Sequence, residues 1–270
     1  MIRIVKVLYV TQEMFPYLPA SEIATLTRQL PQAVQERGRE IRTFMPRFGC
    51  VNERRNQLHE VIRLSGMNLI IDGSDHQLII KVASIPSARM QVYFIDNTEY
   101  FSRRHVLVDE NGAEFADNDD RAIFFARGVL ETVKKLRWSP DIVHCHGWMS
   151  AVVPLYVKKA FHEDPFFAQA KVVYSLYADA YNQPFDGRVA EKMRMPGILP
   201  EDVAAVAGGG SFQNLSKLAI QYADGVIQAS EQVDPELVAF AKNSQKLFLP
   251  YQSPENYVLS YDEFYDKVMG

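Results

Sequence analysis

Short apolar runs alternate with amphipathic helical stretches along nearly the whole of this 270-residue chain, and that rhythm leaves it few folds. A strand is expected over residues 3–10, within RIVKVLYVT, followed by a helix at about 21–37 that stops at Gly38 and a second strand over 40–45. Farther on, DIVHCH (141–146), KVVYSLY (171–177) and GVIQAS (225–230) read as strands. Between them stand the helices NDDRAIFFARGVLETVKKL, capped by Asp117 or Asn118, WMSAVVPLYVKKAF, and one at about 214–223. A short helix from Pro235 and a last one, YDEFYDKVMG, follow a loop-rich stretch at 178–213. Strands joined by crossover helices build a parallel sheet with helices on both faces. One segment breaks the rhythm: from Leu58 to Ile95 the texture is strand-like throughout, with turn signals at Ser65-Gly66, Asp72-Gly73 and Pro86-Ser87. It predicts an antiparallel meander inserted into the parallel sheet and rejoining it at 92–95.

The opening strand raises the functional question. In nucleotide-binding α/β domains the turn after it carries glycines that let backbone N–H groups approach a phosphate. Here that turn reads EMFPYLPASEIATL, residues 13–26, without a glycine. Formal net charge is −4 and no long Lys/Arg run occurs, so nucleic acid is not an expected partner. The two cysteines, Cys50 and Cys145, are far apart and suit a reducing cytoplasm. The N-terminal apolar run is too short to span a membrane and lacks a signal-peptide pattern, so a cytoplasmic protein with no membrane partner is expected.

Several ordered segments carry a resemblance: EMFPYL, LPQAVQERGREIRTFMPRF, VYFIDNTEYFSRR, DENGAEFADNDDRAIFFARGVLE and WSPDIVHCHGWMSAVVPLYVKK. From residue 3 to about 240 the chain resembles the N-terminal half of bacterial glycogen synthases and plant starch synthases. These are retaining ADP-glucose glucosyltransferases with two facing Rossmann-like domains, the GT-B arrangement. The resemblance implies that residues 1–270 are one acceptor-side Rossmann-like domain, the N-terminal half of a GT-B fold, without the C-terminal donor-binding domain.

It also implies where chemistry should lie, and there the chain departs from the family pattern. The family's Lys-x-Gly-Gly-Leu loop, whose cation and bare N–H groups serve the diphosphate, falls on Pro19-Ala20-Ser21-Glu22-Ile23. Pro19 brings neither charge nor donor, Ser21 suits a helix cap, and Glu22 puts a carboxylate where an anion would sit. The aspartate that follows in the family is Thr25. The family's His-x-His-Asp-Trp-His becomes His144-Cys145-His146-Gly147-Trp148-Met149, so Gly147 and Met149 replace an acid and an imidazole. The Thr-x-His-Asn-x-x-Tyr-Gln segment becomes Ser175-Leu176-Tyr177-Ala178-Asp179-Ala180-Tyr181-Asn182, with Tyr177 at the histidine position.

Five positions are therefore degenerate (Pro19, Glu22, Gly147, Met149 and Tyr177), and no catalytic residue is assigned. His144, His146, Trp148 and Tyr181 are the candidate sugar-binding residues; packing and hydrogen bonding at a strand end is the plainer alternative. No metal site is expected, because successive strand residues face opposite sides, and no cofactor is called. Gly208-Gly209-Gly210 reads as a loop more readily than as a phosphate cradle, and no G-x-S-x-G elbow supports hydrolase chemistry. Two functions stay open. One is a non-catalytic module that binds an α-1,4-glucan such as glycogen or a protein of glycogen metabolism, with ADP-glucose not expected to bind this chain alone. The other is an active glucosyltransferase moving glucose from ADP-glucose to an α-1,4-glucan, alone or completed by a donor domain on a separate chain.

Overall fold

The computed structural model describes residues 4–270, so Arg3, the first residue of the expected opening strand, lies outside the described residues. Ten strands form one sheet: β1 (Lys6–Thr11), β2 (Glu40–Pro46), β3 (His59–Glu60), β4 (Met67–Ile71), β5 (Ser74–Ile85), β6 (Met90–Asp96), β7 (Ile142–His146), β8 (Lys171–Leu176), β9 (Gly225–Gln228) and β10 (Leu247–Leu249). The helices are α1 (Glu22–Glu36), α2 (Thr98–Phe101), α3 (Asn118–Lys135), α4 (Val153–Lys158), α5 (Val189–Lys192), α6 (Phe212–Tyr222), α7 (Pro235–Asn243) and α8 (Tyr257–Met269).

Strand order is β10-β9-β8-β7-β1-β2-β6-β5-β3, and β4 pairs with β5. From β10 to β6 every pairing is parallel. The chain runs outward from β1 through β2 to β6, then crosses back to β7 on the other side of β1. This is the doubly wound arrangement, with its switch point between β1 and β7 and its ligand crevice beyond their carboxyl ends. The meander rejoins the sheet as expected, Val92–Ile95 pairing with Thr43–Pro46. It extends the edge through the antiparallel β5–β6 pair and leaves the parallel core uninterrupted. At the tip of β4–β5, Asp72 and Gly73 have φ of +46° and +78°, the two left-handed residues that a tight hairpin turn demands.

Alternation along the strands fixes the two layers. Val7, Tyr9, Ile142, Val173 and Ile227 face α1 and α8, meeting Leu30, Val34, Tyr261, Phe264 and Tyr265. Leu8, Val10, Val143, Cys145 and Val172 face the other way, into a larger core with α3, α4 and α6. α8 is tied to the start of β2 by Asp262, which accepts from Arg37 at 2.6 Å and also from Arg39.

Three expectations need correction. The helix read over 148–161 is broken: a 3₁₀ turn at Trp148–Ser150 precedes α4, whose Pro154 stands in the first turn, where its missing N–H costs no hydrogen bond. The stretch 178–213 contains α5 and a 3₁₀ helix at Pro200–Val206. The last helix starts at Tyr257, four residues before YDEFYDKVMG, and β10 was not foreseen. No helix among the described residues is long and apolar enough to cross a membrane.

Candidate functional site

The crevice beyond β1 and β7 is bounded on one side by the N-terminus of α1. Ser21 caps the helix, its hydroxyl accepting from Ala24 N at 3.0 Å and donating to Glu13 Oε2 at 2.5 Å. Glu22 sits in the first turn, where the helix dipole favours a carboxylate. Its Oε2 accepts from the Ser230 hydroxyl, which itself accepts from Ala178 N at 3.1 Å. The helix start is thereby bound to the loops after β8 and β9. Pro19 and Ala20 are exposed and add no charge. Beside them lies a cavity of about 480 Å³, lined by Ser21, Glu22, Gln29, Tyr251, Gln252 and Tyr257 among others.

At the floor, His144 and His146 project from the same face of β7, their ring centres 3.8 Å apart, while Cys145 points into the opposite core. Both imidazoles are fully buried. His144 Nδ1 is 2.6 Å from the Tyr265 hydroxyl and its Nε2 2.7 Å from the Ser175 hydroxyl. The Tyr265 hydroxyl also donates to that of Tyr9 at 3.2 Å. His146 Nδ1 is 2.8 Å from the Tyr177 hydroxyl, and its Nε2 has no partner. Burial drives the His146 pKa down to about 3 and that of His144 well below the usual imidazole range, the latter also by the neighbouring His146. Both rings are neutral, and burial likewise holds the Tyr177 phenol protonated. Tyr177 therefore serves as the hydrogen-bond partner of a buried histidine.

The turn after β7 is fitted to a glycine. Gly147 has φ +81° and ψ 159°, a combination almost confined to glycine. A Cβ there would lie 2.9 Å from Gln12 Cβ, 3.1 Å from Gln12 Oε1 and 3.3 Å from Asp179 Oδ2. Gln12 Oε1 accepts from Met149 N at 3.1 Å, and Asp179 Oδ2 from Trp148 N at 2.9 Å. These two side chains fill the space that a side chain at position 147 would need. Asp179 is half-buried, and desolvation, helped by Glu13 and Glu22 and opposed by the Trp148 N–H, raises its carboxyl to about 6.

Trp148 is buried edge-on against Tyr181, with ring centres 4.9 Å apart, and Tyr181 stacks on Phe185 at 4.5 Å. The Tyr181 hydroxyl donates to Gly210 O at 2.8 Å, which makes the triple-glycine stretch the wall of an aromatic cluster. Met149 is fully buried.

The structure thus brings His144, His146, Tyr177, Gly147 and Glu22 to one crevice and sets Trp148 and Tyr181 behind it. Sequence reasoning missed Gln12, Ser230 and the supporting Tyr9–Tyr265 pair. Asp179 and Glu13 stood inside the quoted segments but were given no role. Three carboxylates (Glu13, Glu22 and Asp179) rim the crevice, and none forms an ion pair with a described cation. No group of His, Cys, Asp and Glu among the described residues is arranged to hold a metal. Such a rim repels diphosphates and offers acceptors to hydroxyl groups.

Residues 6–247 match the family described as the starch synthase catalytic domain. The glycogen synthase of Chlorobium limicola is 36% identical over 238 residues, covering 86% of this chain and 47% of its own length. That of Chlorobaculum tepidum is 36% identical over 239 residues, with 86% and 48% covered. The chain spans about half the length of the curated relatives it matches. In fold it is similar to the catalytic domain of starch synthase IV from Arabidopsis thaliana, solved with ADP and acarbose, with a TM-score of 0.75 at 17% identity over 93% of this chain and 52% of that one.

Proposed function

The chain belongs to the starch synthase catalytic domain family, and from that premise we propose that it is a glycogen-synthase-type domain that holds an α-1,4-glucan without transferring glucose. One observation carries the reading: the N-terminus of α1, the place for a diphosphate, is occupied by the chain's own Glu22, locked to Ser230, and by Ser21, locked to Glu13. An incoming diphosphate would have to displace these contacts and enter beside three carboxylates without a compensating cation. Loss of even one preorganised donor in such a site typically costs about 10²–10³ in rate. A neutral, hydroxyl-rich glucan meets no such barrier, and the cavity beside α1 offers it tyrosine faces with carboxylate and amide groups.

Family membership favours a second reading, an active transferase that moves glucose from ADP-glucose to a glucan. Two measurements on the purified chain separate them. Retardation in a glycogen-containing native gel, with no incorporation of labelled glucose from ADP-glucose above a no-protein blank, is the expected result. Incorporation would establish the transferase. No retardation and no incorporation would remove the glucan-holding role and leave a protein of glycogen metabolism as the partner to seek.

A further inference from the structure

At the other end of the sheet, the N-terminal ends of β2 and β6 and the turn between β5 and β6 enclose a cavity of about 410 Å³. Its wall includes Arg42, Arg89, Glu40, Ser84, Gln91 and Tyr93, none of which belongs to the crevice. The Arg42 guanidinium lies 5.2 Å from the centre of the Trp138 ring and 5.9 Å from that of Tyr93, and one terminal nitrogen donates to the Tyr93 hydroxyl at 2.8 Å. Its Nε is buried and has no partner. Arg89 ends the turn at φ +51°, ψ +37°, a left-handed position usually taken by glycine or asparagine and costly for a long side chain. Neither arginine is ion-paired with a described carboxylate. The carboxylate within the cavity, that of Glu40, already accepts from Trp138 Nε1 at 2.5 Å.

We infer that this cavity is a binding site for a small phosphate monoester. A guanidinium held against aromatic rings loses little freedom on binding, and its free edge matches the geometry of a phosphate oxyanion. A second guanidinium in the same wall leaves the site positive after Glu40 is counted. The volume is that of a small-molecule site and exceeds what a bare anion needs, and Ser84, Gln91 and Tyr93 supply polar contacts for a hydroxylated body. The site lies at the opposite ends of the strands from the crevice, so it stands whether or not the crevice holds a glucan.

Calorimetric titration of the whole chain at low ionic strength tests this with four probes: glycerol 3-phosphate, inorganic phosphate, malate and glycerol. Glycerol 3-phosphate should bind saturably, inorganic phosphate more weakly, malate more weakly still, and glycerol not at all. R89Q should weaken the phosphate ester by roughly tenfold or more, the loss of one charge-assisted contact. R42Q should act in the same direction, and E40Q, which keeps an acceptor for Trp138 but removes a negative charge, should tighten binding. R89Q changes an exposed turn and leaves the rings around Arg42 in place, so its result stands even if R42Q fails to fold. Absence of saturable binding at millimolar ester, unchanged affinity in R89Q, or tighter binding of malate than of the ester overturns the assignment.

Discussion

Gly147→Ala adds a single carbon where β7 leaves the sheet, and the structure allows its cost to be worked out. The backbone there, at φ +81° and ψ 159°, carries a strain of about 1–3 kcal/mol for any residue with a side chain. The new Cβ would also meet Gln12 Cβ at 2.9 Å, a contact that no side-chain rotation relieves because Cβ is fixed to the backbone. Moving Gln12 aside would break its 3.1 Å bond to Met149 N and strand a buried N–H, a further cost of about 1–3 kcal/mol. The total is about 2–6 kcal/mol, a large share of an ordinary domain's stability. Urea unfolding of the wild type and the variant, with the slope checked for constancy, reads it directly. Gly147→Asp should lose still more at neutral pH, because its carboxylate enters beside Asp179. If Gly147→Ala unfolds within about 0.5 kcal/mol of the wild type, the turn is not fixed in this conformation and the case that the crevice has no room for a side chain at position 147 collapses.

Tyr177→Phe removes the one partner of His146 and should cost about 1–3 kcal/mol in the same unfolding assay, whereas a purely apolar role for Tyr177 predicts almost no change. Because folding raises the Asp179 pKa from 3.8 to about 6, its contribution is full below 3.8 and is lost as pH rises toward 6. Asp179→Asn should therefore gain melting temperature relative to the wild type across that window and hold the gain above it; parallel melting curves for the two proteins count against the assignment. Folding depresses both imidazoles, so their contribution runs the other way, complete above the unfolded value of 6.5 and lost as pH falls toward 3. Asp262→Ala leaves Arg39, itself largely buried, with only the exposed Asp266 as a carboxylate partner and should destabilise the chain by about 1–3 kcal/mol, with amide exchange rising first in α8; exchange confined to other elements would show that the pair does not anchor the helix.

The parts of the fold that were legible in the sequence are those where local chemistry decides. Gly38 ends α1 at φ +95°, Asp72-Gly73 makes its hairpin, and Ser21 caps a helix as its position suggested. The stretch 148–161 was misread because it is almost wholly buried, and an apolar run without a polar face has no period to separate helix from turn. Three residues of β10 are too few to carry any pattern. In the crevice, the motif positions led to the right strand ends, but the partners of those residues lie far off in the chain: Tyr265 is 121 residues from His144, and Gln12 is 137 from Met149. Such pairings arise from tertiary packing alone. Tyr177, which the sequence resemblance suggests as a degenerate position, completes a buried network in the fold.

The docking of α8 onto β1 and β7 has a kinetic consequence. The hydrogen bond between Tyr265 and Tyr9 closes a loop spanning 256 residues, so one face of β1 and β7 is covered by α1 alone until α8 has been synthesised. Until then Val7, Tyr9, Ile142, Val173 and Ile227 present an apolar strip that α1 shields only in part. Contacts of such long sequence separation are slow to form and keep folding intermediates sticky, so this chain should refold sluggishly and lean on chaperones during synthesis. Any shortened version that ends before Tyr257 should precipitate, even though it would retain every residue of the family match.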